Sequence, residues 1–202
     1  MYYDAISNEH GLPHDPFKAI VAPRPIGWIS TLSKEGVPNL APYSFFNAIA
    51  SDPNIVLFSS TGWKDSVQNV EDTGEFVCSL ATWDLREQMN TTSAMVPSQT
   101  DEFRLSGLTP APSTAVKPAR VAESPVALEC KHLRTLELRD LTGEPAGYLA
   151  VIGQVVGVYI DDAALRDGIL DLEHIKPIAR CGYRDYALVD ELFQMSRPSA
   201  ST

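Results

Sequence analysis

Short apolar runs rich in β-branched and aromatic residues, separated by turn-forming residues, dominate the first half of the chain. They predict strands at residues 26–32, 43–49, 55–59 and 75–80. The cluster Ser51-Asp52-Pro53-Asn54 predicts a turn between the second strand and the third. The third run is apolar on both faces, which is typical of a strand at the centre of a β-barrel.

Three further strands are predicted in the second half, at residues 126–133, 135–138 and 148–160. The last is the longest apolar run of the chain, but Gly153 and Gly157 interrupt it. A membrane-spanning helix needs about 20 predominantly apolar residues. The run therefore indicates a long buried strand, and no association with a membrane is expected.

Helical patterns are few, and they predict short helices at residues 66–72, 84–94 and 101–105. In the first, Val67 and Val70 fall on one face and Gly74 can end the helix. In the second, Asp84 and Glu87 have the spacing of a capping box. Many short strands with few helices indicate a mainly β protein with short helices, built as an antiparallel barrel or sandwich.

Composition is that of an ordinary globular protein of 202 residues, with 44% hydrophobic and 21% charged residues. We expect a single domain across residues 1–202, with its core at about 16–190 and a short polar tail at 197–202. The N-terminus lacks the basic and apolar regions of a signal peptide, so a cytoplasmic location is expected.

Charge and residue spacing exclude several kinds of function. The formal net charge of −10 argues against nucleic acid as a partner, and any anionic cofactor would need local cations to overcome it. Cys78 and Cys130 lie in apolar runs and are predicted to be buried free thiols. The histidines do not have the spacing of metal ligands, and the sequence has no G-x-S-x-G motif of the kind that carries a nucleophilic serine. No catalytic residue is therefore assigned.

Two segments combine hydroxyl or cationic side chains with the end of a predicted strand. Ser30 and Thr31 close the first strand, although both could be ordinary strand residues. In the second segment, Lys64, Asp65 and Ser66 stand where a loop leads into a helix. Exposed N–H groups at a helix start, beside hydroxyls and a lysine, form an anion site. The alternative is a capped helix start with a solvated lysine.

A third segment alternates small polar residues with aromatic ones. Its candidate residues are Asn39, Ala41, Ser44, Phe45, Phe46 and Asn47. This pattern suits a flat heteroaromatic ring that lies along a strand. The alternative is a core strand whose aromatic side chains fill a barrel, and that alternative applies more to Phe46 than to Ser44 or Asn47.

These segments belong to a longer series of motifs. In chain order the series is Arg24-Pro-Ile-Gly-Trp-Ile-Ser-Thr31, Gly36-Val-Pro-Asn39, Ala41-Pro-Tyr-Ser44-Phe45, Asp52-Pro53, Lys64-Asp65-Ser66, Asn69, Thr73-Gly74-Glu-Phe76, Gly153-Gln-Val155 and Arg180-Cys-Gly182. In order and spacing it resembles the flavin reductase-like family of FMN-binding split barrels, which includes flavoredoxin. The resemblance covers about residues 16–190.

The resemblance implies a six-stranded antiparallel split β-barrel that forms a homodimer, with FMN near the subunit interface. It implies that Ser30, Thr31, Lys64 and Ser66 hold the phosphate and that Arg24 and Trp28 lie close to the cofactor. The segment from Ala41 to Asn47 would hold the flavin ring, and Asn39 and Asp65 are assigned to the same site. Ser66 stands where the family often has threonine, which keeps the hydroxyl.

The function implied is reduction of flavin by NADH or NADPH. The cofactor carries the hydride chemistry, so no protein acid or base is required. Residues 181–186 contain no histidine, where several dedicated reductases of the family have one near nicotinamide. A flavoredoxin-like electron carrier and a non-catalytic flavin-binding protein therefore stay as alternatives. The expected partners are a small-molecule substrate and an oxygenase or electron-acceptor protein.

Overall fold

The structure is a computed structural model that describes residues 1–198, so residues 199–202 of the predicted polar tail lie outside the described part. The strands are β1 (Arg24–Pro25), β2 (Gly27–Leu32), β3 (Pro38–Tyr43), β4 (Phe46–Ser51), β5 (Asn54–Thr61), β6 (Glu75–Leu80), β7 (Pro110–Ala111), β8 (Arg120–Val121), β9 (Val126–Arg139), β10 (Pro145–Ile160), β11 (Leu165–Arg166), β12 (Ile169–Leu170), β13 (Ile178–Arg180) and β14 (Tyr186–Leu188). The helices are α1 (Phe17–Ile20), α2 (Asp65–Thr73), α3 (Arg86–Thr91), α4 (Glu102–Ser106) and α5 (Leu172–Ile175), with a 3₁₀ turn at Asp162–Ala164.

Seven strands form one antiparallel sheet in the order β3-β2-β6-β9-β10-β5-β4. A smaller sheet, β1-β13-β14, joins the segment before the barrel to the segment after it. The protein is therefore a mainly β, antiparallel split barrel, as predicted. Its main sheet has one strand more than the resemblance implies, because β4 adds to the free edge of β5.

The barrel interior and α2 share one hydrophobic core. Phe58 and Phe76 are fully buried there, with ring centroids 5.5 Å apart. Val67 and Val70 of α2 belong to the same cluster, so the helix packs its apolar face into the barrel. Gly74 ends α2 in the left-handed conformation that the sequence predicts, with φ 74°.

A second core lies on the outer face of β2, where α3 and α4 cover the barrel. Trp28 of β2, Met89 of α3 and Phe103 of α4 are buried in it. Successive side chains of a strand point to opposite faces. Ile29 therefore packs inside the barrel while Trp28 packs outside it, and β2 is buried on both faces.

Two predicted strands differ from the structure by more than their end residues. The predicted strand 43–49 is wrong: β3 ends at Tyr43 and β4 begins at Phe46. The first pairs with β2 and the second with β5, a change of partner that an apolar pattern cannot show. The segment 135–138 is part of the unbroken strand β9.

The prediction of a capping box at Asp84 and Glu87 is also wrong. Helix α3 begins at Arg86, and no side chain caps it at Leu85. The chain enters the helix through turns instead, because the Leu85 N–H donates to the Thr82 carbonyl at 3.2 Å. At α4 a cap does form, since the Asp101 carboxylate accepts from the Arg104 N–H.

Cys78 and Cys130 are buried free thiols, as the sequence predicts, and burial raises the pKa of Cys78 well above its ordinary value. Within residues 1–198, no helix combines the length and the apolar character needed to cross a bilayer.

The close approach of β10 to the barrel core gives a test of the packing. A Cβ on Gly153 would lie 2.4 Å from two atoms at the tip of the Phe76 ring, which is fully buried. We therefore expect Gly153→Ala to lower the free energy of unfolding by about 1–3 kcal/mol, measured by urea denaturation. Leucine lacks those ring-tip atoms, so the same change in a Phe76→Leu background should cost less. Equal losses in the two backgrounds would contradict this account.

Candidate functional site

A cavity of about 1400 Å³ lies where the barrel meets the terminal segments. Its wall combines β3 and the connection after it, the end of β5, the start of α2, and Glu102 of α4. Residues 13–18, 92–96 and 180–185 complete the wall. Because these parts are far apart in sequence, the cavity exists only in the folded chain.

One end of the cavity is formed by the N-terminus of α2. Lys64 occupies the N-cap position in an extended conformation, and no side chain caps the helix. The first N–H groups of a helix have no partners within the helix, and the helix dipole makes this end positive. Lys64 and Ser66 both line the cavity here. This end can therefore hold an anion through main-chain donors and an ammonium group.

A buried hydrogen-bond network fixes the floor of this end. The Ser66 hydroxyl donates to Asn39 Oδ1 at 2.8 Å, and Asn39 Nδ2 donates to Glu102 Oε1 at 3.0 Å. The other oxygen of Glu102 accepts from the Leu40 N–H at 3.1 Å. A hydroxyl has one proton, so Ser66 cannot donate to Asn39 and to a bound anion at once. Its main-chain N–H remains available to the anion.

Two ionisable side chains of the cavity wall are perturbed by burial. Burial raises the pKa of Glu102, the Leu40 N–H and other hydrogen-bond donors oppose the shift, and the nearby Asp65 charge adds to it. Burial also raises the pKa of Tyr43, so its phenol is neutral at pH 7. Hydrogen bonds with Ser66 and Ser60 oppose that shift.

The middle of the cavity is lined by the end of β3 and the connection that follows it. Ala41, Ser44 and Phe45 line the wall, and Tyr148 of β10 completes it, with its ring centroid 6.1 Å from that of Phe45. Small and aromatic side chains side by side offer flat surfaces with polar edges. This part of the wall suits a planar ring.

Arg24 joins the two terminal segments at the wall of the cavity. Its Nη1 donates to the Lys18 and Val21 carbonyls, and its Nη2 donates to the Cys181 carbonyl at 2.8 Å. Its guanidinium carbon lies 5.7 Å from the centre of the Phe45 ring. Nε is buried and, among the described residues 1–198, has no hydrogen-bond partner. Burial, and after it the charge of Arg180, lowers the pKa of Arg24.

Local charge in the cavity opposes the net charge of the chain. The cationic side chains of its wall are Lys18, Arg24, Lys64, Arg180 and Arg184. Within residues 1–198, none of them forms an ion pair with a carboxylate, whereas five other lysine and arginine side chains do. The wall also carries four carboxyl groups, those of Asp15, Asp65, Glu102 and Asp185, so its formal charge of five cations and four carboxylates is slightly positive in a protein of net charge −10.

The structure brings most of the predicted site residues to the cavity wall. Those that line it are Arg24, Asn39, Ala41, Ser44, Phe45, Lys64, Asp65 and Ser66. Trp28 and Ser30 do not, because they point to the outer face of β2. Trp28 Nε1 donates to Thr92 Oγ1 at 2.9 Å, and the Ser30 hydroxyl donates to the Ala119 carbonyl.

Three more predicted residues also lie away from the wall. Thr31 points inward but sits beneath α2, where its hydroxyl accepts from Asn69 Nδ2 at 3.0 Å. Phe46 packs against Gly27, and Asn47 is exposed. Alternation along a strand could have shown that Ser30 and Thr31 face opposite sides. It could not have shown which side the cavity is on.

Several wall residues carry no signal in the sequence. Glu102 and Tyr148 line the cavity, as do the segments 13–18 and 92–96. Each is brought to the site by chain closure, so no local pattern marks it. For the wall segment 180–185, the one signal in the sequence was the motif Arg180-Cys-Gly182, which belongs to the series of family-like motifs.

Comparison with known proteins identifies the family. A family described as flavin reductase like domain matches residues 21–177, which is most of the chain. The chain belongs to the flavin reductase-like family. An uncharacterized protein of Aquifex aeolicus (strain VF5) is 35% identical over 173 residues, covering 83% of this chain and 85% of the relative.

Solved structures agree with this family in fold. Nitrilotriacetate monooxygenase component B from Bacillus cereus superposes with a TM-score of 0.88 at 29% identity, covering 96% of this chain and 98% of that one. Flavoredoxin of Desulfovibrio vulgaris (Miyazaki F) superposes with a TM-score of 0.78 at 22% identity, covering 87% and 92%. Because flavoredoxin is only 22% identical to this chain, its similarity shows a shared fold and no more.

Glu102 gives a test of the buried network. Because its pKa is raised on folding, the native state holds more protons than the unfolded state between the ordinary value of 4.5 and the raised value. Its contribution to stability therefore falls as pH rises through that window. The unfolding free energy of wild type minus that of Glu102→Gln should therefore decrease as the pH rises from 4, measured by urea denaturation at each pH. Glu144 is exposed, so for Glu144→Gln the difference should stay constant. A constant difference for Glu102→Gln would refute the assignment.

Proposed function

We propose that this chain binds FMN non-covalently in the cavity, with the phosphate at the N-terminus of α2. The uncapped helix start beside Lys64 carries the proposal, because it offers main-chain donors and a cation to an anion. The unpaired cations of the wall support it further, since they offset the negative charge of the whole protein.

The rest of the proposed site follows the wall of the cavity. Asn39 and Ser66 form the floor beneath the phosphate, with Asp65 beside them. The ring would lie along the segment from Ala41 to Phe45. The unpartnered Nε of Arg24 gives a donor near Phe45. A fixed positive charge there favours a ligand that becomes more negative on reduction.

The reaction we propose is NAD(P)H-dependent reduction of flavin. Bound FMN supplies the hydride chemistry, and the chain binds it, orients it and excludes water. Sites for drug-sized ligands usually measure about 300–1,000 Å³. The cavity is larger, at about 1400 Å³, which leaves room for a second ligand beside the flavin.

A flavoredoxin-like electron carrier is the second candidate. It is favoured by the absence of histidine at residues 181–186, which form part of the cavity wall. Reduced flavin would then pass its electrons to a protein. The solved relative that is 29% identical is a monooxygenase component, which supports an oxygenase as that partner. A non-catalytic flavin-binding protein is the third candidate.

We also propose that the chain acts as a homodimer. Val156, Val158 and Ile160 alternate along the outer face of β10 and are exposed. Neighbouring exposed apolar residues on one face of a strand are typical of an interface between proteins. A second copy of the chain would cover them.

Lys64→Ala tests the phosphate end. Loss of the ammonium group should weaken FMN binding about 10- to 100-fold, since a hydrogen bond to a charged group contributes about 1.5–3 kcal/mol. The measurement is titration of the apoprotein with FMN, followed by flavin fluorescence. Lys117 is exposed and lines no cavity, so Lys117→Ala is the matched control and should bind as wild type does. Unchanged affinity in Lys64→Ala would remove Lys64 from the site.

Turnover separates the candidate functions. A reductase should oxidise NADH or NADPH steadily when free FMN is added, which is followed by the loss of absorbance of the reduced nicotinamide. A protein that holds FMN tightly without such turnover would favour the electron carrier instead. If the purified protein neither carries nor takes up FMN, the flavin proposal itself is wrong.

A further inference from the structure

A second, smaller cavity adjoins the main one. We call it the Trp83 groove; it measures about 430 Å³ and lies between α3 and the strands β13 and β14. Its lining includes Trp83, Arg86, Asn90 and Tyr186. Arg180 and Arg184 line both this groove and the main cavity. The two cavities therefore meet along a pair of arginines.

Flat cationic and aromatic side chains are stacked in the Trp83 groove. The guanidinium of Arg86 lies 4.0 Å from the centre of the Trp83 ring, and that of Arg180 lies 4.6 Å from the centre of the Tyr186 ring. Trp83 is 44% exposed and Tyr186 46% exposed, so both remain accessible to a ligand. Nucleobases stack on aromatic rings and on arginine planes, whatever the base.

The arginines shared by the two cavities are suited to phosphate groups. Arg180 donates to the carbonyls of Tyr183 and Asp185, which fixes its position. Arg184 is exposed and, within the described residues 1–198, forms no ion pair. Arginine binds phosphate oxygens through two parallel donors. The junction of the cavities therefore offers a fixed and a free guanidinium to a doubly charged linker.

The arrangement of these features along the wall matches one class of ligand. The flavin ring is proposed to lie along the segment from Ala41 to Phe45, and the Arg24 guanidinium carbon lies 5.7 Å from the centre of the Phe45 ring. Arg180 and Arg184 line both cavities, so a nicotinamide placed against the flavin would have its pyrophosphate near these arginines. A nicotinamide dinucleotide has two rings joined by a pyrophosphate. We propose that the Trp83 groove binds the ADP-ribose half of the electron donor, with its pyrophosphate at Arg180 and Arg184. This inference rests on the proposed reductase function.

The other surroundings of the groove bear on the identity of the donor. Glu87 also lines the groove, with Oε1 3.6 Å from Arg86 Nε. A carboxylate can accept from the ribose 2′-hydroxyl of NADH, and an arginine can bind the 2′-phosphate of NADPH. NADH and NADPH both contain ADP-ribose and differ only in the 2′-phosphate. Fragments with and without that phosphate therefore distinguish the two donors.

Fragment binding tests the groove without turnover. ADP-ribose and 2′-phospho-ADP-ribose lack nicotinamide, so each can be titrated by calorimetry into protein saturated with FMN. At least one should bind, and Trp83→Ala and Arg184→Ala should each weaken it about tenfold, as expected for one lost stack or charged contact. Trp83→Phe should restore most of the affinity. Arg104 lies on α4 and lines neither cavity, so Arg104→Ala should bind as wild type does.

Kinetics then separates this inference from the proposed function. In a reductase, Trp83→Ala should raise the KM for the dinucleotide about tenfold and leave the Kd for FMN unchanged, because Trp83 lines only the groove. Binding of the fragments without oxidation of NADH or NADPH would support the groove and overturn the reductase. No fragment binding at millimolar concentration, or the same affinity and KM in Trp83→Ala, would overturn the groove and leave the reductase standing.

Discussion

The packing of α2 into the mouth of the barrel sets the geometry of the whole site. Val67 and Val70 belong to the same core as Phe58 and Phe76, so the helix cannot rotate or slide without exposing apolar surface. Its polar face is held as well, because Asn69 bonds to Thr31 and Ser66 bonds to Asn39. The helix N-terminus is thereby fixed at the cavity with its donors directed away from the core.

The first N–H groups of an uncapped helix lack hydrogen-bond partners, which destabilises the helix unless another group accepts from them. At α2 these N–H groups lie at the cavity, where a bound ligand can accept from them. The buried Glu102 carboxyl group is linked to this helix start through Asn39 and Ser66, and burial raises its pKa. Its hydrogen bonds to Asn39 and Leu40 hold the floor in one arrangement. A carboxyl group beneath the proposed phosphate position adds to the need for the cations of the wall.

Those cations come from three separated parts of the chain. Lys64 precedes α2, Lys18 and Arg24 belong to the N-terminal segment, and Arg180 and Arg184 lie near the C-terminal end. Arg24 joins the last two parts by donating to carbonyls of both. Close packing supports the same contact, because a Cβ on Gly182 would lie 2.4 Å from the Cβ of Ala19. The terminal segments are therefore one wall of the site rather than loose ends of a barrel.

Sequence patterns determined the local elements and the chemistry of two segments. Strand β6 has the predicted bounds, α2 differs from its predicted bounds by one residue at each end, and the motifs from Arg24 to Ser66 identify the family. Such features depend on neighbours in sequence, where periodicity and turn residues carry the signal. The predicted strand 43–49 marks the limit, because an apolar pattern could not show that Tyr43 ends β3, which pairs with β2, and that Phe46 begins β4, which pairs with β5.

Only the tertiary structure decided which side chains meet. Strand β2 is buried on both faces, so its alternation could not tell that Trp28 packs against α3 and α4 and that Ser30 donates to the Ala119 carbonyl, while Thr31 lies beneath α2. Glu102, Tyr148 and the shared arginines reach the cavity through contacts between distant parts of the chain. The sequence alone predicted a helix start beside Lys64 and a segment of alternating small polar and aromatic residues from Ala41 to Asn47. Their placement in one cavity follows from closure of the barrel, which no local pattern encodes.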